Sequence, residues 1–371
     1  MPRRLLSLLL APTRLLLSLR SLLARGGLAV AAVASGVAFA LWAAALLLRR
    51  GPRATFAWHR RDSAPPGLRD GAFGEHRHLR LRSSGLRLHY VTRGPPGAPL
   101  MLLLHGFPQN WFCWRHLLQE LSARFRVVAP DLRGYGDSEK PPGRDSYRLE
   151  LLLGDICDVI EALGTPAASP RCVLVGHDWG GVLAWEVASR HPRLVEKLVV
   201  MDAPHRGVMA AFTARHPSQL LRSCYMFLFQ LPWLPELLLS LADFQLVRWF
   251  MTSALTGIQD PARRLSEQEL DAFLFGLSQP GGLSPPIHYY RNLFGATPIP
   301  REPPPPPTLL LWGSRDAFLD PRLGPAHLRW LRPSARLRLL PGASHWLPEE
   351  TPLPLAKLIG EFLGGGAEEG S

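Results

Sequence analysis

The chain has 371 residues, 47% of them hydrophobic and 19% charged, and a formal net charge of +12. That is enough chain for one large α/β domain with appendages and a substantial core. The charge first suggests nucleic acid, but residues 1 to 61 hold ten Arg and no Lys, Asp or Glu, leaving +2 (12 minus 10) for everything after. No concentrated phosphate-binding footprint remains, so a nucleic-acid partner is excluded.

Residues 1–25 form a basic, Leu-rich leader whose stretch Leu5 to Leu23, punctuated by Arg14 and Arg20, fits an interfacial amphipathic helix. Residues 26–48 follow as 23 residues without a charge. At 1.5 Å rise per residue such a helix just exceeds the roughly 30 Å thickness of a bilayer's hydrocarbon core. The run is longer than a signal-peptide core and lacks a clear small-residue cleavage site, so it is read as an uncleaved transmembrane anchor of a single-pass protein. Arg flanks both ends, with a slight excess after the span at Arg49, Arg50, Arg53, Arg60 and Arg61, which favours a cytosolic C-terminal side. A linker, 49–75, leads to the body.

From residue 76 short apolar or alternating runs begin near residues 78, 86, 99, 125, 171, 196, 308 and 335, with helical patterns between most of them. These predict eight strands. The first two alternate and lack room for a crossover helix, so they should pair antiparallel as an edge; the later Leu/Val runs suit a buried parallel sheet. The organisation is an α/β core at 76–205 and 301–371, interrupted by a mostly helical cap at 206–300 that ends before the stiff Pro run 303–307. The cap should lie over the C-terminal strand ends, where open α/β sheets bind ligands.

The strongest local signal is Gly176-His177-Asp178-Trp179-Gly180-Gly181, between the strand RCVLV and a helical pattern. This is the context of a nucleophile elbow, with Asp where esterases carry Ser. Asp is also a good helix N-cap, the plain alternative for Asp178. The string His105-Gly106-Phe107-Pro108 follows the strand PLMLLL, so the backbone amides of Phe107 and Trp179 are placed to form an oxyanion hole. Trp312-Gly313-Ser314-Arg315-Asp316 and Gly342-Ala343-Ser344-His345-Trp346 follow the last two strands. The order nucleophile, acid, histidine is that of α/β-hydrolases. Asp320 competes with Asp316 to orient His345, and Asp316 is preferred because it lies nearer its strand end.

Taken together, HGFP, DLRGYGDSEKP at 131–141, GHDWGG, WGSRD and GASHW resemble the epoxide hydrolases of the α/β-hydrolase superfamily, over roughly residues 76 to 365. With the basic leader and anchor, the chain is similar to vertebrate membrane-bound members. Single strings are shared with haloalkane dehalogenases, which also use an Asp nucleophile. The resemblance implies an α/β-hydrolase fold with a mostly parallel eight-stranded sheet, a helical cap and an N-terminal transmembrane helix. It implies Asp178 as nucleophile, His345 as general base, Asp316 orienting it, and two cap proton donors, Tyr225 and Tyr290, with Tyr289 the neighbouring competitor. Pro108, Trp179 and Phe229 would touch substrate. The expected substrate is a lipophilic epoxide, at family level an epoxy fatty acid, converted with water to a vicinal diol at the endoplasmic reticulum membrane. No metal or organic cofactor is expected, since the chain has no phosphate loop or Cys/His metal cluster and its four Cys (Cys113, Cys157, Cys172, Cys224) are widely spaced. No obligate protein partner is evident, and neither Asn, Asn110 or Asn292, opens a glycosylation acceptor.

Overall fold

The computed structural model describes residues 3–364 apart from 60, 166–167, 296, 301–303 and 305, and residues 3–25 by their backbone helix alone. The expected Pro run at 303–307 therefore lies partly outside the described residues. Eight strands form one sheet in the order β1-β2-β4-β3-β5-β6-β7-β8. They are β1 Glu75–Arg80, β2 Arg87–Arg93, β3 Leu100–Leu104, β4 Arg126–Pro130, β5 Cys172–His177, β6 Val195–Met201, β7 Thr308–Gly313 and β8 Arg336–Leu340.

Strands β3, β5 and β7 are buried at every position, as expected of runs such as LMLLL and CVLVGH sandwiched between helices. The edges differ. β1 is mostly exposed, and β8 carries Arg336 and Arg338, charges that discourage edge-to-edge pairing. β1 and β2 pair antiparallel, but β2 is also antiparallel to β4. The first two strands thus form the expected antiparallel edge, with β2 the strand reversed against both its neighbours. The cause is long-range: β2 docks beside β4, not beside the next strand in sequence.

The strand order turns back between β3 and β5, the switch point at which doubly wound sheets open a crevice. The helix Trp179–Arg190 leaves β5 at that point, and cap helices between β6 and β7 roof it. These include Cys224–Leu228, Leu234–Thr252, Glu267–Ser278 and Ser284–Leu293. Glu267–Ser278 starts with a capping box, in which Ser266 and Glu269 satisfy each other's backbone amides.

At the N-terminus one helix runs Arg3–Thr55, broken in φ/ψ only at Gly51 (φ 73, ψ 166) just before Pro52. The leader therefore continues into the apolar segment instead of forming a separate helix beside it. Gly26–Thr55 is long and apolar enough to cross a membrane. Ala32, Gly36 and Leu46 are nevertheless buried, and Phe39, Trp42 and Ala43 pack against the core cluster. A side chain at Gly36 would press into Leu231 of the cap. The segment after the helix is tied down as well: Arg61 pairs with Asp243 at 2.8 Å and Asp271 at 3.0 Å, and Asp243 N donates to Ala57 O.

Candidate active site

Asp178 follows β5 directly with φ 50 and ψ −121, a geometry that L side chains rarely adopt. Small neighbours make the turn possible. A Cβ on Gly180 would meet the Leu104 carbonyl, and one on Gly106 would meet Asp178 itself. The Asp178 side chain does not cap the helix Trp179–Arg190. Its Oδ1 instead accepts the Phe107 amide at 2.8 Å. That amide is presented by the turn after β3, where His105 Nδ1 donates to Gly106 O and its Nε2 accepts from Leu132 N, both at 3.0 Å. The Trp179 amide begins the helix, but no bond from it to an Asp178 oxygen is made among the described residues.

His345 stands after β8 with Nε2 3.6 Å from Asp178 Oδ2 and Nδ1 2.7 Å from Asp316 Oδ2. Asp316 is aimed by its own loop, since Oδ1 accepts the amides of Phe318 (2.8 Å) and Leu319 (2.9 Å). Asp320 is elsewhere, paired with Arg322 at 2.6 Å. The His345 loop is held by Glu350, which accepts Ser344 N at 2.7 Å, and by His177 Nε2, which meets His345 O at 2.7 Å.

Burial works to raise the Asp178 pKa, yet His345 and the Phe107 amide outweigh it and leave Asp178 below the ordinary aspartate value. For His345 burial disfavours the charged ring, but the carboxylates of Asp316 and Asp178 prevail and its pKa stands well above the usual histidine range. The resting centre is an imidazolium between two carboxylates.

Tyr225 and Tyr290 hang from the cap over Asp178, with ring centroids 5.8 Å apart. Burial, first of all, raises both phenols well above the ordinary tyrosine value, so both keep their protons. Tyr289 is spoken for: its hydroxyl donates to Arg133 O at 2.7 Å. Tyr290 is seated edge-on against Trp179 (5.0 Å) and Phe107 (5.5 Å).

Asp178, Trp179, Tyr225 and Tyr290 line an apolar cavity of about 460 Å³ that extends past Met209 and Leu293. A tight space beside it adds Pro108 and His345. Phe229 corrects the expectation. It does not line either space but packs behind the tyrosines, 5.0 Å from the Tyr290 ring and 5.7 Å from that of Tyr225.

Sequence reasoning missed Asp202, which follows β6 just as Asp178 follows β5 and is fully buried at φ 41. Its Oδ1 accepts Gly313 N at 2.8 Å while its Oδ2 has no partner among the described residues. Burial and then the Asp316 charge raise its pKa well above the usual, so both favour its protonated form. The string VVMDAP carried the strand-end signal that could have found it. His177, Asp202 and His345 are also the one described group whose ligand atoms lie within 4.8 Å of one another. His177 Nε2 and His345 Nδ1 are already engaged with His345 O and Asp316, so the group reads as hydrogen-bonding machinery.

The model of the alpha/beta hydrolase family matches residues 101–358. Epoxide hydrolase 3 of Xenopus tropicalis is 48% identical over 85% of this chain and 85% of its own. Mouse epoxide hydrolase 3 is 43% identical over 98% and 99% of the two chains. This chain belongs to the alpha/beta hydrolase family, among its epoxide hydrolases. Human epoxide hydrolase 4 is 43% identical over 85% of this chain and 86% of its own. The crystal structure of a mutant epoxide hydrolase from Bacillus megaterium superposes with a TM-score of 0.68 at 31% identity, covering 77% of this chain and 99% of its own. Nearly a quarter of this epoxide hydrolase therefore has no counterpart in the bacterial enzyme.

Proposed function

We propose that this epoxide hydrolase opens lipophilic epoxides through a covalent ester on Asp178, which water activated by His345 then hydrolyses to a vicinal diol. The observation that carries the reading is the position of the Asp178 carboxylate, with the phenols of Tyr225 and Tyr290 above it and His345 Nε2 3.6 Å to its side. An epoxide is strained but leaves as a poor alkoxide, so it needs an anion at carbon and a proton donor at oxygen together. Asp178 Oδ2 attacks a ring carbon, the carbon–oxygen bond breaks, and a cap phenol donates its proton to the released oxygen. Oδ1 remains on the Phe107 amide.

Esterification removes the Asp178 charge, which was one of the two holding the His345 proton. The ring then gives its proton to the phenolate left by ring opening, which lines the same space, and becomes a base kept in orientation by Asp316. It takes a proton from water, whose oxygen attacks the ester carbonyl. The negative charge of the tetrahedral intermediate gathers on Oδ1, already at the Phe107 amide. Collapse breaks the acyl–oxygen bond as the imidazolium protonates the leaving alkoxide, and the carboxyl proton of Asp178 returns to His345, releasing the diol and restoring the carboxylate.

The apolar cavity favours a hydrocarbon substrate. Arg206 at its wall shares Glu186 with Arg190, two guanidiniums to one carboxylate, a balance that suits the head of an epoxy fatty acid. A B. megaterium relative, 30% identical, has been crystallised with its product, an aryloxy propane-1,2-diol, in keeping with diol formation. The anchor reading places the chain in a membrane, at the endoplasmic reticulum with the catalytic domain cytosolic. Full-length protein released by carbonate extraction would refute it.

His345→Gln is the decisive variant. It should still alkylate Asp178 but not hydrolyse the ester, so intact mass rises by that of the epoxide; an adduct on any other residue would overturn the assignment.

A further inference from the structure

A second cavity, of about 520 Å³, lies between the cap and the N-terminal helix, which lines one side of it. Phe39 and Trp42 of that helix face Trp249 and Leu255 of the cap region across it. Tyr225, Phe250 and Phe318 line this cavity and also the tight space that holds Asp178 and His345. These three aromatic side chains therefore form a wall common to the cavity and the space that holds the reacting atoms. They meet edge to face, Phe250 with Phe318 at 5.7 Å and Tyr225 with Phe318 at 5.8 Å, contacts that a rotamer change can exchange. Tyr225 also borders the cavity that runs past Arg206, so one residue is common to both spaces and to the site of the nucleophile.

The surroundings identify the occupant. The helix that walls the cavity is the one segment of described chain long and apolar enough for a bilayer, and its outward positions Val33, Val37 and Leu41 are 55–67% exposed. At the cavity rim the cap is just as unprotected, with Leu221 77% and Leu255 69% exposed. Bare apolar surface on both sides of an opening is costly in water and neutral in hydrocarbon.

We propose that this helix-walled cavity is a bilayer-facing seat for the hydrocarbon tail of the epoxide substrate, reached from the membrane and joined to the active site when Phe250 and Phe318 swing aside. The inference rests on the epoxide reading and on the anchor. The substrate then lies across the centre, its head toward Arg206, its ring at Asp178 and its tail against the anchor helix.

The test uses full-length protein in phosphatidylcholine vesicles and the double variant Ala38→Trp, Leu255→Trp, which fills the cavity from two exposed positions. A saturated fatty acid with a photoreactive tail and no epoxide should label peptides containing Trp42, Trp249 or Leu255 in the wild type, and the variant should suppress that labelling. The kcat/KM ratio of a long-chain epoxide in the vesicle over styrene oxide should fall at least about tenfold, since even one methylene removed from an apolar pocket costs about that much. Circular dichroism and melting temperature check that the variant is folded. Labelling confined to the Met209 and Leu293 side, or an unchanged ratio in a folded variant, would overturn the seat. Wild-type failure on both epoxides would defeat the hydrolase reading alone, because the labelling involves no catalytic step and still decides the seat.

Discussion

Replacing both cap phenols, Tyr225→Phe with Tyr290→Phe, should nearly abolish formation of the Asp178 ester while leaving the protein folded. The Tyr290 ring is clamped by Trp179 at 5.0 Å, Phe229 at 5.0 Å and Phe107 at 5.5 Å, so a phenylalanine keeps the seat and only the hydroxyl is lost. The Tyr225 ring is likewise bounded by Phe229 and Phe318. Each single change leaves the other phenol over the same carboxylate. General-acid donation is worth about 10² to 10⁴ in rate. With both donors gone the full factor is lost, about 3 to 5 kcal/mol at 1.36 kcal/mol per decade. Either single variant should lose much less, because the two phenols substitute for each other. Single-turnover stopped flow on Trp179 fluorescence reads ester formation directly, since that ring touches Tyr290 and forms the floor of the site. Hydrolysis of an ester already formed should change little, as it runs through His345 and Phe107. Wild-type alkylation by the folded double variant would refute the reasoning, and efficient halide release from a haloalkane by the wild type would point to dehalogenase chemistry.

The two half-reactions should also part with pH. The Asp178 pKa is lowered and both phenols are raised, so alkylation should be flat between about pH 5 and pH 9, while hydrolysis needs neutral His345 and should rise with pH. Rapid-quench mass spectrometry should then find more ester at the acid end, and equal ester across the range would contradict the base role. Asp316→Asn should slow ester hydrolysis by about 10³ to 10⁴, the scale expected when a histidine loses its orienting carboxylate, whereas Asp320→Asn should leave it within a small factor. Equal effects of the two in the same single-turnover assay would return Asp320 to contention.

What the sequence disclosed about the site follows from where the residues stand on the sheet. Asp178, Asp316 and His345 each sit just past a strand, and strands with Leu/Val runs are legible locally, so the three positions converge as soon as the sheet order is known. The tyrosines were legible only through resemblance, because the cap that carries them has no strand to index it. The difference between Tyr289 and Tyr290 depends on the carbonyl of Arg133, 156 residues away. Phe229, expected as a contact residue only through the same resemblance, packs behind the cap tyrosines. The docking of β2 beside β4 and of the N-terminal helix on the cap are likewise tertiary choices that no local pattern encodes. Asp202 was overlooked although its context repeats that of Asp178, because a strand-end acid with no His assigned to it looks like an ordinary turn residue.

Asp202 bears on why the resting centre tolerates so much charge. Asp178, Asp316 and Asp202 surround one histidine, and three carboxylates around one imidazolium would leave a buried excess of two negative charges. Keeping Asp202 protonated reduces that excess to one, and the Phe107, Phe318 and Leu319 amides spread what remains over the two ionised acids. On the proposed route, the ester removes the Asp178 charge, and the His345 ring with Asp316 becomes a neutral ion pair. The proton of the imidazolium then passes to the phenolate left by ring opening, since Tyr225 and Tyr290 line the same tight space as His345, and the ring is free to take one from water. This ties the timing of the base to the departure of charge from Asp178 and explains why a nucleophile that is itself an anion can share its site with a histidine that must later be neutral.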